Sequence, residues 1–355
     1  MKSLDDGVLG RQAVPPSLLR TIRLLGEYKG RQTVLTDRSP KILHRLRQAA
    51  LLHGTETSSR LDGIVVPPER VLAFVARRDG PRNRAEQEIA GYREALGRIA
   101  AEAGQDEAGR QALTPQMVLH LHADLFQFLP EGGGRWKTSD NLVTERLPDG
   151  STAVRFTPVP AYAVEDAMNR LHDGFIRQSD AGIIDPLLLV PSYLLDFLCI
   201  HPFSDGNERI ARLLAMVLLE RAGYALTAWV SLDPLFERTR ALWSGALQAS
   251  WRGWHQAAHT LVPWWEYFLG VVLQGYQELE RQVTVDLPPR GAKREMVVRA
   301  VRGLPHQFRH PDLERLVPSI SRPTINRVLR DLRTAGEVRC VKPGRNAWWQ
   351  RREPA

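Results

Sequence analysis

The 355-residue sequence holds only two cysteines, Cys199 and Cys340, and they lie far apart in the chain. Neither has a second cysteine or a histidine at metal-ligand spacing, so free thiols are expected rather than a disulfide or a zinc site. Cys199 sits in an apolar run, where a thiol packs as a small core residue. Long apolar stretches are also missing. No uninterrupted run approaches the ~18 residues that span a bilayer, so no membrane partner is expected. The opening MKSLDDGVLGRQAVPPS lacks the apolar core of a secretory leader, and cytoplasmic localisation is the expectation. Internal repeats and low-complexity blocks are absent as well.

What is present fits an ordinary globular protein, with 43% hydrophobic and 25% charged residues. The length suggests roughly two or three domains. Net charge is +8, but it is uneven: residues 291–355 carry 15 Lys/Arg against 6 Asp/Glu, and the remainder carries 33 against 34. A nearly neutral body therefore bears a basic C-terminal unit, a pattern suited to nucleic acid or another acidic partner. An Arg-rich, merely solvated surface is the plainer alternative.

The pattern is mainly helical. Leu18, Ile22 and Leu25 space as one helix face. Residues 40–53, opened by Pro40, predict a second helix, followed by TETSSRLDGI at 55–64. Residues 84–103 and 114–129 read as helices, the latter with Thr114 and Pro115 as cap and first residue. Residues 131–160 change character: a Gly-Gly-Gly, then RWKTSDNLV, a turn at Pro148-Asp149-Gly150, and STAVRFTPV predict a β-hairpin. Helices resume over 161–178, 186–200 and 208–222 and continue to about residue 282. VDLPPRGA, residues 285–292, reads as a linker. Beyond it, helices over 293–303 and 311–316 and a third within 318–338 precede VRCVKPGRNAWWQ, read as two strands around a Pro-Gly turn. That order resembles a winged helix-turn-helix whose third helix shows Arg322, Arg327, Arg330 and Arg333.

The densest chemistry lies in HPFSDGNERIARLL, residues 201–214. Pro202 disfavours helix at His201, so the imidazole stands at a helix end facing a loop. Asp205 is a hard oxygen donor suited to Mg²⁺. Gly206 and Asn207 precede a new helix, whose first N–H groups are free for an anion. Arg209 and Arg212, three apart, share a face beside that anion site. A base, a metal ligand, a phosphate cradle and two cations suit transfer of a phosphate-linked group to a hydroxyl. The structural alternative is an acidic capping box at Asp205 and Glu208 with a satisfied histidine nearby.

HPFSDGNERIAR resembles the signature of the Fic (Fic/Doc) family, HPFx[D/E]GNGRxxR, at every specified position except Glu208, where glycine is usual. The resemblance implies a Fic-type helical core with a β-hairpin flap, covering roughly residues 30–280. Arg135 and the following hairpin are similar to the family's target-docking flap. The implied activity moves AMP from ATP to a Ser, Thr or Tyr hydroxyl of a protein, releasing pyrophosphate. His201 would be the general base, and Asp205 would hold Mg²⁺. Gly206, Asn207 and Glu208 would cradle the α- and β-phosphates, Arg209 the leaving phosphates, and Arg212 the γ-phosphate. Phe203 would anchor the loop. Ser58-Ser59-Arg60-Leu61-Asp62-Gly63 resembles the family's inhibitory pattern [S/T]xxxE[G/N], with Asp62 in the glutamate position. By that resemblance Ser58, Asp62 and Gly63 belong to a self-inhibitory helix in which Asp62 engages Arg212.

Glu208 leaves three outcomes open. It points away as a helix-start acid, it pairs with Arg209 or Arg212, or it redirects the donor, as a lysine there does in Doc toxins that phosphorylate. The domain expectation is 1–110, an N-terminal helical region with the inhibitory helix near 55–63; 111–284, the catalytic core; 285–292, a linker; and 293–355, a winged helix. Its partners would be ATP, a hydroxyl-bearing protein, DNA or protein at the winged helix, and a second copy of the chain. Two competing readings are a DNA-binding regulator with a degenerate Fic core and a growth-arrest toxin. Trp243, Trp251, Trp254, Trp264 and Trp265 read as core packing. His255 and His259, four apart on an expected helix, form at most half of a metal site.

Overall fold

A computed structural model describes residues 2–38, 40–76, 79–103, 113–146, 149–286, 292–317, 320–342 and 347–351. The chain divides into two compact units, Met1–Glu280 and Arg281–Ala355. No described helix is long and apolar enough to cross a membrane.

The first unit contains α1 (Asp6–Leu9), α2 (Pro16–Arg38), α3 (Pro40–Leu61), α4 (Pro68–Val75), α5 (Arg84–Ala103) and α6 (Pro115–Leu125). After them come strands β1 (Val143–Arg146) and β2 (Thr152–Phe156), then α7 (Val164–Ala181), α8 (Pro186–Ile200) and α9 (Asn207–Arg221). The last elements are α10 (Asp233–Arg238), α11 (Arg240–Trp251) and α12 (Val262–Asp286). The regions 1–110 and 111–284 thus share one compact unit up to Glu280, and α12 continues into the segment expected to be linker. Residues 287–291 of that segment lie outside the described residues.

Local chemistry sets these boundaries. Helices α2, α3, α4, α6 and α8 open on a proline, whose fixed φ suits the first turn and whose missing N–H is not needed there. Thr114 caps α6, its side chain accepting from the Met117 N–H at 3.2 Å, and Asp185 caps α8 through Leu187 at 2.8 Å. The helix read over 40–53 extends to Leu61, because nothing stops it before Asp62 and Gly63, the latter at φ 78°.

Helix α8 is the centre of the core: only Pro186 and Leu188 of its residues escape burial. Helix α8 packs against α9, and Leu194, Leu195, Phe197 and Ile200 of the one and Ile210, Leu213, Leu214 and Val217 of the other are all buried. Helix α5 crosses α6 so closely that a Cβ on Gly91 would sit 2.0 Å from the Leu125 carbonyl oxygen. These helices supply the rigid floor for the 201–207 loop. The β1–β2 hairpin pairs antiparallel, Arg146 opposite Thr152, with a register shift at Val143/Thr144.

The second unit runs α13 (Ala292–Gly303), β3 (Gln307–Arg309), α14 (His310–Leu316), α15 (Arg322–Thr334), β4 (Val338–Lys342) and β5 (Trp348–Arg351). The strands form one antiparallel sheet in the order β3-β5-β4. Strand β3 is an element the sequence pattern did not announce; its Phe308 is buried between polar neighbours Gln307 and Arg309. Val297, Val301, Phe308, Leu313, Ile325, Leu329 and Trp349 belong to one core of this unit. The expected Pro-Gly turn at 343–344 lies outside the described residues.

Candidate active site

The HPFSDGN loop joins α8 to α9. His201 caps α8 in the left-handed region, φ 50°, because the following Pro202 bars it from helix. Its N–H donates to the Phe197 carbonyl at 2.9 Å. The ring Nδ1 lies 3.3 Å from the Leu198 carbonyl oxygen, an acceptor only, so Nδ1 carries the proton and Nε2 keeps its lone pair. Burial, aided by the nearby Lys137 ammonium, pushes the His201 pKa down to about 4. The imidazole is therefore neutral at pH 7, the form a general base requires.

Three residues hold the loop on one flank. Asn207, expected beside the phosphates, uses its amide on the backbone of Phe203. The Phe203 N–H donates to Oδ1 at 2.9 Å, and Nδ2 donates to the Phe203 carbonyl at 2.8 Å. Asn207 thus reaches an anion only through the loop shape and helix start it creates. Gly206 stands at φ 80°, and a Cβ there would lie 2.9 Å from the Phe126 ring, so both backbone and space demand glycine. His122 of α6 stacks on Phe203 with centroids 3.8 Å apart. Its Nδ1 accepts the Gly134 N–H at 2.9 Å, which places the proton on Nε2, 3.3 Å from the Asp205 carbonyl. Burial holds His122 down to about 4 as well.

On the other flank, the Lys137 N–H donates to the Pro202 carbonyl at 2.9 Å. The buried Lys137 ammonium donates to Asn141 Oδ1 at 2.7 Å, and Asn141 Nδ2 donates to the Phe203 carbonyl at 3.0 Å. Desolvation brings Lys137 down to about 8. Arg135, by contrast, is exposed and donates to the Glu131 carbonyl at 2.6 Å.

The two arginines face the start of α9 and the end of α3. Arg209 is almost wholly buried, and three carboxylates ring it: Glu88 of α5 at 2.9 Å, Asp62 at 3.1 Å and Asp205 at 3.5 Å. Arg212 donates to Ser58 Oγ at 2.8 Å and meets Asp62 at 3.4 Å and Asp233 at 3.1 Å. Burial opposes its charge, but Asp62 and Asp233 outweigh that and raise its pKa. Asp62 thus bridges both arginines and lies nearer to Arg209, whereas the resemblance pairs it with Arg212. The Nε of Arg209 lies 3.1 Å from Asp62 and that of Arg212 3.1 Å from Asp233, so both arginines are held by carboxylates in this state.

Glu208 forms no ion pair with Arg209 or Arg212 among the described residues. It is exposed on the first turn of α9 and lines a cavity of about 320 Å³ with Arg212, Arg240, Trp243, Leu247 and Trp251. Partial desolvation by the cavity walls raises its carboxyl pKa; Arg212 pulls it down, and Asp62 adds to the rise. Residues of the hairpin, Val143 to Glu145 and Arg155, close the other side. Trp243 and Trp251 are therefore cavity walls as well as packing residues, while Trp254, Trp264 and Trp265 are buried. Asp205 presents a largely exposed carboxylate, its side chain 64% accessible, with Oδ1 taking the Gly206 N–H at 2.6 Å.

Sequence reasoning located His201, Asp205, Gly206, Arg209, Arg212 and the Ser58–Gly63 turn, and the fold brings them together. It missed Glu88, His122, Lys137, Asn141 and Asp233. Lys137 and Asn141 lie within the RWKTSDNLV stretch, an unusual polar run beside glycines. Glu88 and His122 look like ordinary helix residues. His255 and His259 do not share a helix: a 3-10 turn over Trp254–Gln256 ends at Ala257, φ 53°. Their Nε2 atoms contact the Thr157 carbonyl and Ser3 Oγ instead. Among the described residues, no cluster of three or more His, Cys, Asp or Glu could hold a metal.

The helical core thus sets a histidine at the end of α8 and two buried arginines on the first turns of α9. Residues 112–219 match the model of the Fic/DOC family. It is 28% identical over 115 residues to a protein adenylyltransferase Fic of Nematostella vectensis, a match covering 32% of this chain and 24% of that protein. A Fic family protein of Desulfovibrio desulfuricans superposes with TM-score 0.61 at 20% identity, over 97% of this chain and 98% of that one. A Fic domain containing signaling protein of Bacteroides thetaiotaomicron gives TM-score 0.61 at 20% identity, over 74% and 98% respectively. Fic-1 of C. elegans gives 0.54 at 19%, over 76% and 71%. These likenesses in structure establish a Fic fold.

Proposed function

We propose that this chain transfers AMP from ATP to a Ser, Thr or Tyr hydroxyl of a protein, itself included, and restrains that reaction through Asp62. The observation that carries the reading is a neutral His201, its Nε2 lone pair unused by the Leu198 contact, beside two buried arginines that share Asp62. In the reaction, Nε2 takes the hydroxyl proton as the oxygen attacks the α-phosphorus. The bond from that phosphorus to the bridging oxygen breaks, and pyrophosphate leaves. The start of α9 offers backbone N–H groups to the phosphates. Arg212, once clear of Asp62, holds the terminal phosphate, while Arg209 stays on Glu88 and steadies the leaving group. The cavity of about 320 Å³ beside Glu208 takes the nucleoside.

Asp205 fits a Mg²⁺ that arrives with the nucleotide, because such an ion uses one or two carboxylates and fills its sphere with phosphate and water. Bound there, it would offset phosphate charge. Asp62 opposes the reaction by holding both cations that a triphosphate needs. Glu208 weakens but does not abolish donor binding: it adds a negative charge to the cavity mouth without consuming either arginine. With ATP labelled on its α-phosphate, label should appear on the protein or on lysate proteins and vanish in His201→Ala. Label that persists in His201→Ala, or never appears even in Asp62→Gly, would overturn the reading.

A further inference from the structure

We propose that the outward face of α15, together with its wing, is a binding surface for duplex DNA. The sequence order α13–β3–α14–α15–β4–β5, with the sheet ordered β3-β5-β4, is three helices followed by a wing. Ile325, Val328, Leu329 and Leu332 turn inward and are buried, which fixes the opposite face outward. That face shows Pro323, Asn326, Arg327, Arg330, Arg333 and Thr334, all exposed.

The three arginines recur at a spacing of three, so they form one stripe along two turns. None of Arg327, Arg330 and Arg333 enters an ion pair among the described residues, unlike Arg322, which meets Glu314 at 3.3 Å. Unpaired guanidinium groups on a rigid helix keep their donors for a ligand. On the wing, Lys342 is exposed at the end of β4. The unit as a whole is the basic part of a chain whose remainder is nearly neutral.

The chemistry selects among acidic partners. The stripe carries no large exposed apolar side chain, so it lacks the aromatic or aliphatic anchor that protein interfaces centre on. The same lack argues against membrane insertion. A helix of this width enters the major groove of B-form DNA, whereas the deep, narrow major groove of A-form RNA excludes it. Arginine is also the side chain that grips guanine O6 and N7, or a phosphate, through paired donors.

The test uses the full-length protein and a fluorescein-labelled, mixed-sequence duplex, read by anisotropy across a salt series. Binding should weaken steeply as salt rises, because phosphate contacts release counterions. Replacing Arg327, Arg330 and Arg333 together by alanine should lower affinity by at least about tenfold and flatten the salt slope. A control that removes the same charge from Arg294, Arg299 and Arg315 should stay within about twofold of wild type. The Arg→Lys version of the stripe, which keeps charge, should retain non-specific affinity and guards against a folding defect. The proposal is overturned by no duplex binding at low salt or by equal losses in stripe and control variants. It is also overturned if polyglutamate or single-stranded RNA competes as well as duplex DNA.

Discussion

Gly206 and Asn207 do their work by shaping the backbone on which His201 acts. Gly206→Ala would force a side chain into φ 80° and against the Phe126 ring. The expected cost is about 1–2 kcal/mol from the left-handed backbone alone, seen as a lower Tm, with the loop displaced. Asn207→Ala removes two hydrogen bonds to Phe203 and strands its backbone groups, at about 1–3 kcal/mol. Transfer should fall while far-UV circular dichroism stays native. His201 offers a pH signature. Its folded pKa lies at about 4, below the ordinary value of 6.5. A depressed value means the folded state favours the neutral ring. The associated stability is whole above pH 6.5 and is lost as pH falls through about 4. An NMR titration should show the His201 ring protonating near pH 4; a midpoint near 6.5 would contradict the buried, Lys137-facing geometry. Glu208→Gly should tighten Mg-ATP binding several-fold, on the order of 1 kcal/mol, by removing a like charge beside the phosphates. Unchanged affinity in a calorimetric titration would show that Glu208 is only a helix-start acid.

At the scale of elements, two helices hold Arg209 in different ways. Asp62 follows the last turn of α3 and is 23% accessible; Glu88 is 11% accessible and sits within α5, part of the core. Asp62→Gly should therefore raise self-modification with little change in Tm. Glu88→Ala removes the hydrogen-bonded partner of a buried cation and should cost about 3 kcal/mol or more of stability, measured by denaturant unfolding. Gly91→Ala, which drives a Cβ onto the Leu125 carbonyl, should separate α5 from α6 and destabilise the site floor by about 1–3 kcal/mol. Much of this level was legible in the sequence. Prolines and caps marked most helix starts, and the Pro-Asp-Gly turn marked the hairpin. The end of α3 was legible only through its Asp62-Gly63 stop, because the apolar periodicity of the helix fades after residue 53. Glu88 and His122 were invisible for another reason. Each is far from residues 201–214 in sequence and reaches Arg209 or Phe203 only through helix packing. By contrast, His201, Asp205, Gly206 and Arg212 are nearly contiguous, so their shared chemistry shows without the fold.

At the scale of the whole molecule, charge and chemistry are divided between two compact units. The first buries Arg209 and Arg212 among carboxylates; the second leaves Arg327, Arg330 and Arg333 exposed along one helix. The central claim concerns the first unit: a competent transfer site is held shut by Asp62. Intact-mass spectrometry of the full-length protein after incubation with Mg-ATP tests it most directly, comparing wild type, Asp62→Gly, and Asp62→Gly combined with His201→Ala. The account predicts a mass increase of one AMP group that is slight in wild type, pronounced in Asp62→Gly and absent once His201 is replaced. An increment equal in wild type and Asp62→Gly, or one that survives the loss of His201, would contradict it.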